Sequence, residues 1–354
     1  MSESAAPLPP QALPEGIRLW SSDEAAAWVR AGCARWARPW WSAAALAVSV
    51  VWAVAVTPDR PCTEAAPCGA DWPGLGEVGL ALGLLLWVFQ LPELTVVAAP
   101  VLAVLVGSLE LPGADPAAMA ANGSVLPALC FGWAGAVERL AARHRQRKAA
   151  ECVTPARGGC PGPDAPVRRG SVPLALGLLL LAVTATAVVQ ALDGVRADER
   201  HAVRAERLTA QVVGHGTESV RLRTDDGRRL TVASSLPEDY ARGGAVTVLE
   251  DGSWRRLAAE PYDAFGWQLL MLAAGLPGVS LFVAGLLARR RAVALRDAPV
   301  PVLRVLTRVD EYGGTWIYAG DDTSGRAPVL RARFEPVEAA DGPQSWKVSR
   351  QAEN

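Results

Sequence analysis

Charge is scarce in this chain, and lysine is nearly absent. Asp, Glu, Lys and Arg together make up 20% of the 354 residues, below the quarter or so usual in soluble domains. Of the 35 basic residues only Lys148 and Lys347 are lysine. With abundant Ala and Gly, the composition resembles that of a high-GC bacterial genome. The formal net charge of -1 supplies no global field toward nucleic acid. Histidine occurs three times, at His144, His201 and His215, scattered along the chain. There is no H-E-x-x-H, no phosphate-cradling glycine loop and no Ser/His/Asp set in recognisable context. No catalytic or ligand-binding motif therefore rises above background.

What is present is apolar length. Hydrophobic residues make up 51% of the chain, and mean hydropathy is +0.18. Six uncharged windows stand out: 39–58, 78–92, 94–109, 116–137, 170–192 and 264–288. A helix crossing the hydrocarbon core needs about 20 apolar residues at about 1.5 Å rise each. Four windows meet that easily. The second and third reach only about 22–24 Å, with Glu77, Glu93 and Glu110 at their edges. Two spans in a locally thinned bilayer are expected there, a re-entrant hairpin turning at Leu91-Pro92-Glu93 being the alternative. The first window has no small-residue cleavage site after it, so a retained span is expected rather than a signal peptide.

Arginine sets the expected direction of insertion, because basic residues near span ends stay cytoplasmic. Segment 139–169 holds Arg139, Arg143, Arg145, Arg147, Lys148, Arg157, Arg168 and Arg169; Arg289, Arg290 and Arg291 follow the sixth window; Arg30, Arg35 and Arg38 precede the first. Segment 59–77 has one arginine, Arg60, against four acidic residues, and 110–118 has none. Both termini are therefore expected inside. Segment 193–263 is expected outside despite its arginines, since long loops translocate largely regardless of charge. Trp36, Trp40 and Trp41 at one edge, and Trp72 and Trp267 at the other, suit the headgroup level. Gly79 with Gly83, and Ala274 with Gly278, have the spacing of close helix packing.

Outside the windows, Ser21 and Glu24 have the spacing of a capping box at the start of a short amphipathic helix. That helix either lies on the inner leaflet or packs as an ordinary cytosolic helix. Residues 1–16 are Pro-rich and expected to be disordered. The linker 139–169 begins as a basic helical continuation and turns Pro/Gly-rich; its arginines are a topology signal or a site for anionic lipid headgroups. Between 200 and 262 the period changes to two. Leu208, Ala210 and Val212 alternate with polar residues, as do Val220 with Leu222, Leu230 with Val232, and Val246 with Val248. Asp226-Gly227 and Asp251-Gly252 mark tight turns. Four or five short antiparallel strands are expected, a domain marginal on its own. The tail repeats the style with VPVLRVLTRV, TWIYAG and PVLRARFEP, a small sheet that needs a packing partner. The N-terminal helix and the basic loop, expected on the same side, are the two candidates.

The strand RLTAQVV, the hairpin VRLRTDDGRRLTV, the approach from Tyr240 to Gly243 into AVTVLEDG, and RLAAEPYDAFGW entering the next span resemble one group of proteins. These are uncharacterised high-GC bacterial multi-pass membrane proteins with a small β module of unknown function between two spans. The resemblance covers roughly a quarter of the chain, in pattern more than identity. It implies a fold without an activity, and no catalytic residues.

The expected fold is thus a membrane all-α bundle of six transmembrane helices, with a small extracytoplasmic antiparallel β domain and a short cytosolic β-rich tail. Its parts are a disordered start with the amphipathic helix (1–38), four spans (39–138), the basic linker (139–169), the fifth span (170–192), the β domain (193–263), the sixth span (264–288) and the tail (289–354).

Chemistry-bearing residues are few. Cys62 and Cys68, in PCTEAAPC, are expected to form a structural disulfide on the oxidising side. Cys152 and Cys160, with seven residues between them in a linker, lack zinc spacing; Cys130 reads as a packing residue and Cys33 lies on the N-terminal helix. His215 reads as a solvated turn residue, and Asp321-Asp322 as a turn. No ionisable residue lies inside a window, where one would mark a proton or ion path. No catalytic, cofactor or metal site is expected. The leading expectation is a non-enzymatic scaffold of the cell membrane, acting in interaction, assembly or envelope sensing. Its partners are the bilayer, anionic headgroups at the basic inner loop and a protein or second copy of itself, with no nucleic acid. A transporter or channel for a small uncharged solute is the alternative, and a membrane enzyme comes third.

Overall fold

The computed structural model describes residues 17–56, 62–112, 114–153, 157–158, 169–297, 300–301, 303–310 and 314–332. The Pro-rich start, most of the Pro/Gly-rich linker with Cys160, and the chain after 332 lie outside the described residues. Seven α-helices are described: α1 Ser22–Arg30, α2 Pro39–Val56, α3 Trp72–Gln90, α4 Pro92–Leu105, α5 Pro116–Val153, α6 Ser171–Arg204 and α7 Phe265–Asp297. The last six, with α4 extended by a π-turn at Val106–Glu110, are long and apolar enough to cross a membrane. The chain divides into two compact units. One holds Gly32–Arg145 and Gly162–Ala298; the other holds Met1–Ala31, Gln146–Pro161 and Pro299–Asn354.

In the larger unit, α3 and α4 form a complete hairpin. Each runs past its uncharged window, because Glu77 lies within α3 and Glu93 within the first turn of α4. At about 1.5 Å per residue, 19 residues give about 28 Å, the thickness of a hydrocarbon core. Glu93 near a helix N-terminus also suits the local dipole. Arg143 Nη1 of α5 lies 3.2 Å from Glu93 Oε1, and Arg291 Nη2 of α7 lies 3.4 Å from the same atom. Arg139 caps the end of α3 by reaching the Val88 carbonyl. Leu46, Leu84, Trp87, Leu102, Val125 and Leu129 fill the core among α2 to α5. Trp87 lies over Gly83 of its own helix, and its Nε1 donates to Ser280 Oγ of α7 at 2.8 Å. Gly83 therefore makes room for an indole, while Gly79 faces Leu272 of α7.

The closest helix pair is α6 with α7, and glycines make it so. A Cβ built on Gly177 would stand 2.5 Å from the Phe282 backbone nitrogen. One on Gly285 would stand 2.7 Å from the Leu174 nitrogen, and one on Gly278 would press Leu180 and Leu181. Gly170, which starts α6 at φ 85°, meets the Gly285 carbonyl. Gly170 with Gly177, and Gly278 with Gly285, repeat at seven residues, two helical turns, so each pair lies on one face. In lipid, such faces draw helices together through backbone contact.

The window 170–192 marks the end of the apolar run but not of the helix. α6 continues to Arg204 as a polar stalk, so residues 193–204 are helix where the sequence suggested part of a β domain. The stalk passes straight into a five-stranded antiparallel sheet: β1 Glu206–His215, β2 Ser219–Thr224, β3 Arg229–Ala233, β4 Ala245–Asp251 and β5 Trp254–Leu257, in the order β3-β2-β1-β4-β5. β1 to β3 form a meander, and β4 returns to the far side of β1, a Greek-key connection. β1 serves both flanks. Its first half pairs with β4 and its second half with β2, across a bulge between Val212 and Gly214. The edge strands β3 and β5 also approach each other, so the sheet curls into a small, partly open barrel. Alternation places Ala210, Val212, Val220, Leu222, Leu230, Val232, Val248 and Leu257 inside, with Tyr240 closing one side. Gly227 and Gly252 take the positive φ of the two Asp-Gly turns.

The smaller unit joins both ends of the chain. The Ser21–Glu24 capping box is present in both directions. The residues leading into α1 are tied to the tail: Ser22 Oγ donates to Asp321 at 2.6 Å, Gly320 N donates to the Trp20 carbonyl at 2.7 Å, and Leu19 forms a bridge with Arg304. The tail sheet has the order β8-β7-β6, with β6 Leu306–Val309, β7 Thr315–Tyr318 and β8 Pro328–Ala332. Among the described residues, the N-terminal segment contacts this sheet's surroundings at Arg304, Gly320 and Asp321. A short pairing of Arg157–Gly158 with Val300–Pro301 and a Gln146 bond to the Trp28 carbonyl complete this unit.

Candidate functional site

The densest polar cluster in the larger unit lies where the stalk of α6 meets the β4–β5 hairpin. Asp198 and His201 are three residues apart, so the helix period puts both on the face toward the barrel. Asp198 is nearly buried, with its side chain 9% exposed, and Arg256 of β5 is 16% exposed beside it. Arg256 Nε stands 3.1 Å from Asp198 Oδ2, a close ion pair, and the same oxygen accepts the Tyr262 backbone N–H at 3.2 Å. One turn further on, His201 Nδ1 lies 2.7 Å from Asp251 Oδ2 at the end of β4. The imidazole stacks on Trp254, with centroids 5.2 Å apart and planes at 19°, while Arg256 covers the indole at 5.7 Å. Arg204 approaches Asp251 at 3.5 Å.

Two more contacts fix the joint toward the helix bundle. The Tyr262 ring occupies the space left open by Gly194, where a Cβ would come within 2.4 Å. Its hydroxyl accepts the Trp267 Nε1 hydrogen at 3.2 Å. Ala187, Ala191, Ala264 and Met271 pack beneath them with Trp72 and Leu75.

The loop after α2 straps onto the barrel. The Sγ atoms of Cys62 and Cys68 are 2.10 Å apart, at disulfide distance. Glu64, inside that loop, accepts from Arg207 at 2.9 Å and from Thr247 Oγ1 at 3.0 Å, bridging β1 and β4. Cys68 N donates to the Ala259 carbonyl at 2.9 Å.

A second charged cluster sits across the barrel hairpins. Glu250 accepts two bonds from Arg228 Nη2, at 2.9 and 3.1 Å, and one from Arg255 Nε at 2.6 Å. These guanidiniums, Arg228 first, hold its carboxyl below the usual glutamate range. A depressed folded-state pKa contributes stability above the unfolded value and loses it as pH falls through the folded one. The barrel is therefore expected to loosen on acidification in a step that Glu250→Gln removes. Circular dichroism against pH for both proteins checks this; an unchanged acid step in the variant would put its origin elsewhere.

The other residues singled out in the sequence do not converge. His144 and Cys152 are exposed on α5, and Cys33 is exposed between α1 and α2. Cys130 is exposed rather than packed, so it faces outward from its helix. His215 is not a free turn residue: its Nε2 lies 2.6 Å from the Tyr240 carbonyl at the end of β1. Burial, with Glu260 nearby, pushes the Tyr240 phenol well above its ordinary range. Asp321 accepts from Ser22, and Asp322 from Ser324, Gly325 and Ala327, so both serve turn and helix-start geometry. Among the described residues no three His, Cys, Asp or Glu side chains group as a metal site. The joint itself is not legible in the sequence, because its partners are 50 to 64 residues apart. The one available signal is the run of charged residues straight after an apolar window at helical spacing.

Comparison with protein-family models, with curated proteins and with solved structures gives no match.

Proposed function

We propose that this chain is an integral protein of the cell membrane with both termini cytoplasmic and the barrel on the outer side. It is a non-enzymatic scaffold, acting in interaction, assembly or envelope sensing. One observation carries the reading: the barrel is held at Asp198, His201, Tyr262 and the Glu64 loop on a helix that continues unbroken into the glycine-packed pair of α6 and α7. Such a joint transmits position. A load or ligand on the barrel moves α6 and α7 together instead of swinging on a loose linker. Arg143 and Arg291 at the opposite end, on Glu93, support the proposed direction, since basic residues stay on the cytoplasmic side.

The alternative, a path for a small uncharged solute, has less to support it. The space among α2 to α5 lined by Ser42, Leu46, Leu84, Thr95, Ala128 and Gly132 is about 10 Å³, room for about one water.

The test has two arms. A periplasm-type reporter fused after Asp251 is expected to be active, and one fused to the tail inactive; the reverse pattern inverts the protein. A photocrosslinker at Val213, which is 58% exposed on the barrel, is expected to give a discrete adduct in cells. Bare monomer under every envelope stress tried would count against the scaffold reading.

A further inference from the structure

The solvent side of the β1–β2–β3 sheet has a charge pattern that no ion pair among the described residues answers. Alternation leaves Gln211, Val213, Arg221, Arg223, Arg229 and Thr231 exposed on that side. The register sets Gln211, Arg223 and Arg229 in one row across three strands, with Arg223 and Arg229 directly opposite each other. Arg221 lies two residues along β2, about 7 Å away. Like charges facing across a strand pair destabilise a sheet.

Five other arginines at the barrel and its stalk are engaged, whereas Arg242, in the loop before β4, is exposed and makes no ion pair among the described residues. Arg207 has Glu64, Arg228 and Arg255 share Glu250, Arg256 has Asp198, and Arg204 has Asp251. Among the described residues Arg221, Arg223 and Arg229 form no ion pair; Arg221 gives one long bond, 3.4 Å, to the His215 carbonyl. The neighbouring carboxylate Asp226 is occupied by Thr224 and the Arg228 N–H. Three arginines thus share one exposed face, with their Cβ positions about 5 to 7 Å apart and no ion pair among the described residues.

The geometry points to a linear, phosphate-bearing polymer as the ligand of this face, and we propose that the barrel binds one. Guanidinium forks match phosphate oxygens two at a time. Arg223 and Arg229 lie across the strands and Arg221 beside them along β2, so the three cover a flat patch that an extended polyanion can follow. The face is a sheet surface, not a cavity, so it suits an extended ligand. It carries no aromatic side chain for base stacking, which single-stranded nucleic acid binding uses. A polymer without bases fits, of the class of anionic envelope glycopolymers. The proposal rests on the scaffold reading only for the side of the membrane; the binding itself can be measured without it.

The experiment uses the full chain in detergent with long-chain inorganic polyphosphate as probe, by calorimetry across a salt series. Binding is expected to weaken with a log–log salt slope near -2, from about 0.7 per phosphate contact on a single strand. The triple variant Arg221→Gln, Arg223→Gln, Arg229→Gln is expected to lose at least tenfold in affinity and most of that slope. Arg207→Gln, on a paired arginine, is expected to leave both unchanged. Arg229→Thr alone, which relieves the opposed pair, is expected to raise the barrel's melting temperature while weakening polyphosphate, so misfolding cannot account for the loss. Equal binding by wild type and triple variant overturns the proposal. So does tighter binding of an oligothymidylate than of polyphosphate of similar charge, or capture of phosphatidylglycerol vesicles with no polyphosphate binding. An inverted reporter pattern with intact polyphosphate binding would sink the membrane sidedness and leave this face standing.

Discussion

Gly177→Leu is expected to lower the melting temperature of the detergent-solubilised protein by roughly 5–10 °C, from about 2–3 kcal/mol of overpacking at a few degrees each. The side chain has nowhere to go. Even a methyl group at Gly177 would stand 2.5 Å from the Phe282 backbone nitrogen and 3.0 Å from the Gly278 carbonyl. A flexible side chain can turn away, but backbone can only move with its helix. α6 and α7 must then separate along the seam that Gly170, Gly278 and Gly285 also hold. The dispersion attraction forfeited across a widened gap is not replaced by a hydrophobic gain, because lipid is as apolar as the seam. Gly177→Ala should lie between wild type and leucine. Gly123→Ala, on α5 with nothing within 4 Å of the new atom, should melt with the wild type. If Gly177→Leu and Gly123→Ala melt together, α6 and α7 are not packed through these glycines.

That seam shows why part of the molecule is readable from its sequence and part is not. Period is a local property, so the strands are legible: Val220 with Leu222 and Leu230 with Val232 point inward as their alternation requires. The capping pair Ser21 and Glu24 is equally local. Uncharged length locates all six long helices, though it understates α3 and α4. Glu93 is tolerated at a helix start because Arg143 and Arg291, 50 and 198 residues away, come to it. The seven-residue glycine repeat carries no weight in a chain with 33 glycines until its partner helix is known. Gly79 with Gly83 looks as good by spacing, and there one glycine serves an indole of its own helix. The polar stalk of α6 escapes a hydropathy reading because charge marks the end of a span, whereas a helix ends only when its backbone bonding does. His201 and Asp198 gain their roles from strands that arrive much later in the chain.

Asp198→Ala is expected to detach the barrel from its stalk while leaving the barrel folded. Removing the carboxylate strands the Arg256 guanidinium, 16% exposed, without a counter-charge, and leaves the Tyr262 N–H without its acceptor. Loss of one member of a buried pair costs about 3–5 kcal/mol; this pair touches solvent slightly, so about 2–4 kcal/mol is the expected size. That figure exceeds each of the surface ion pairs that remain at the joint. Arg204 with Asp251 and Glu64 with Arg207 are surface pairs, each worth at most about 1 kcal/mol. The barrel core lies elsewhere, around Val220, Leu222 and Val248, so its own unfolding should change little. The signature is therefore local: new protease cleavage at 258–263, between the last strand and α7, with the β signal in circular dichroism retained. Asp198→Asn keeps an acceptor for Tyr262 but not the charge, and should give intermediate cleavage. Asp193→Ala, five residues earlier on the exposed side and paired among the described residues with Arg196 at 3.5 Å, should leave the segment protected. Should Asp198→Ala resist protease as the wild type does, the barrel is held by its strap and hairpin alone, and the stalk cannot be what carries its position into α6 and α7.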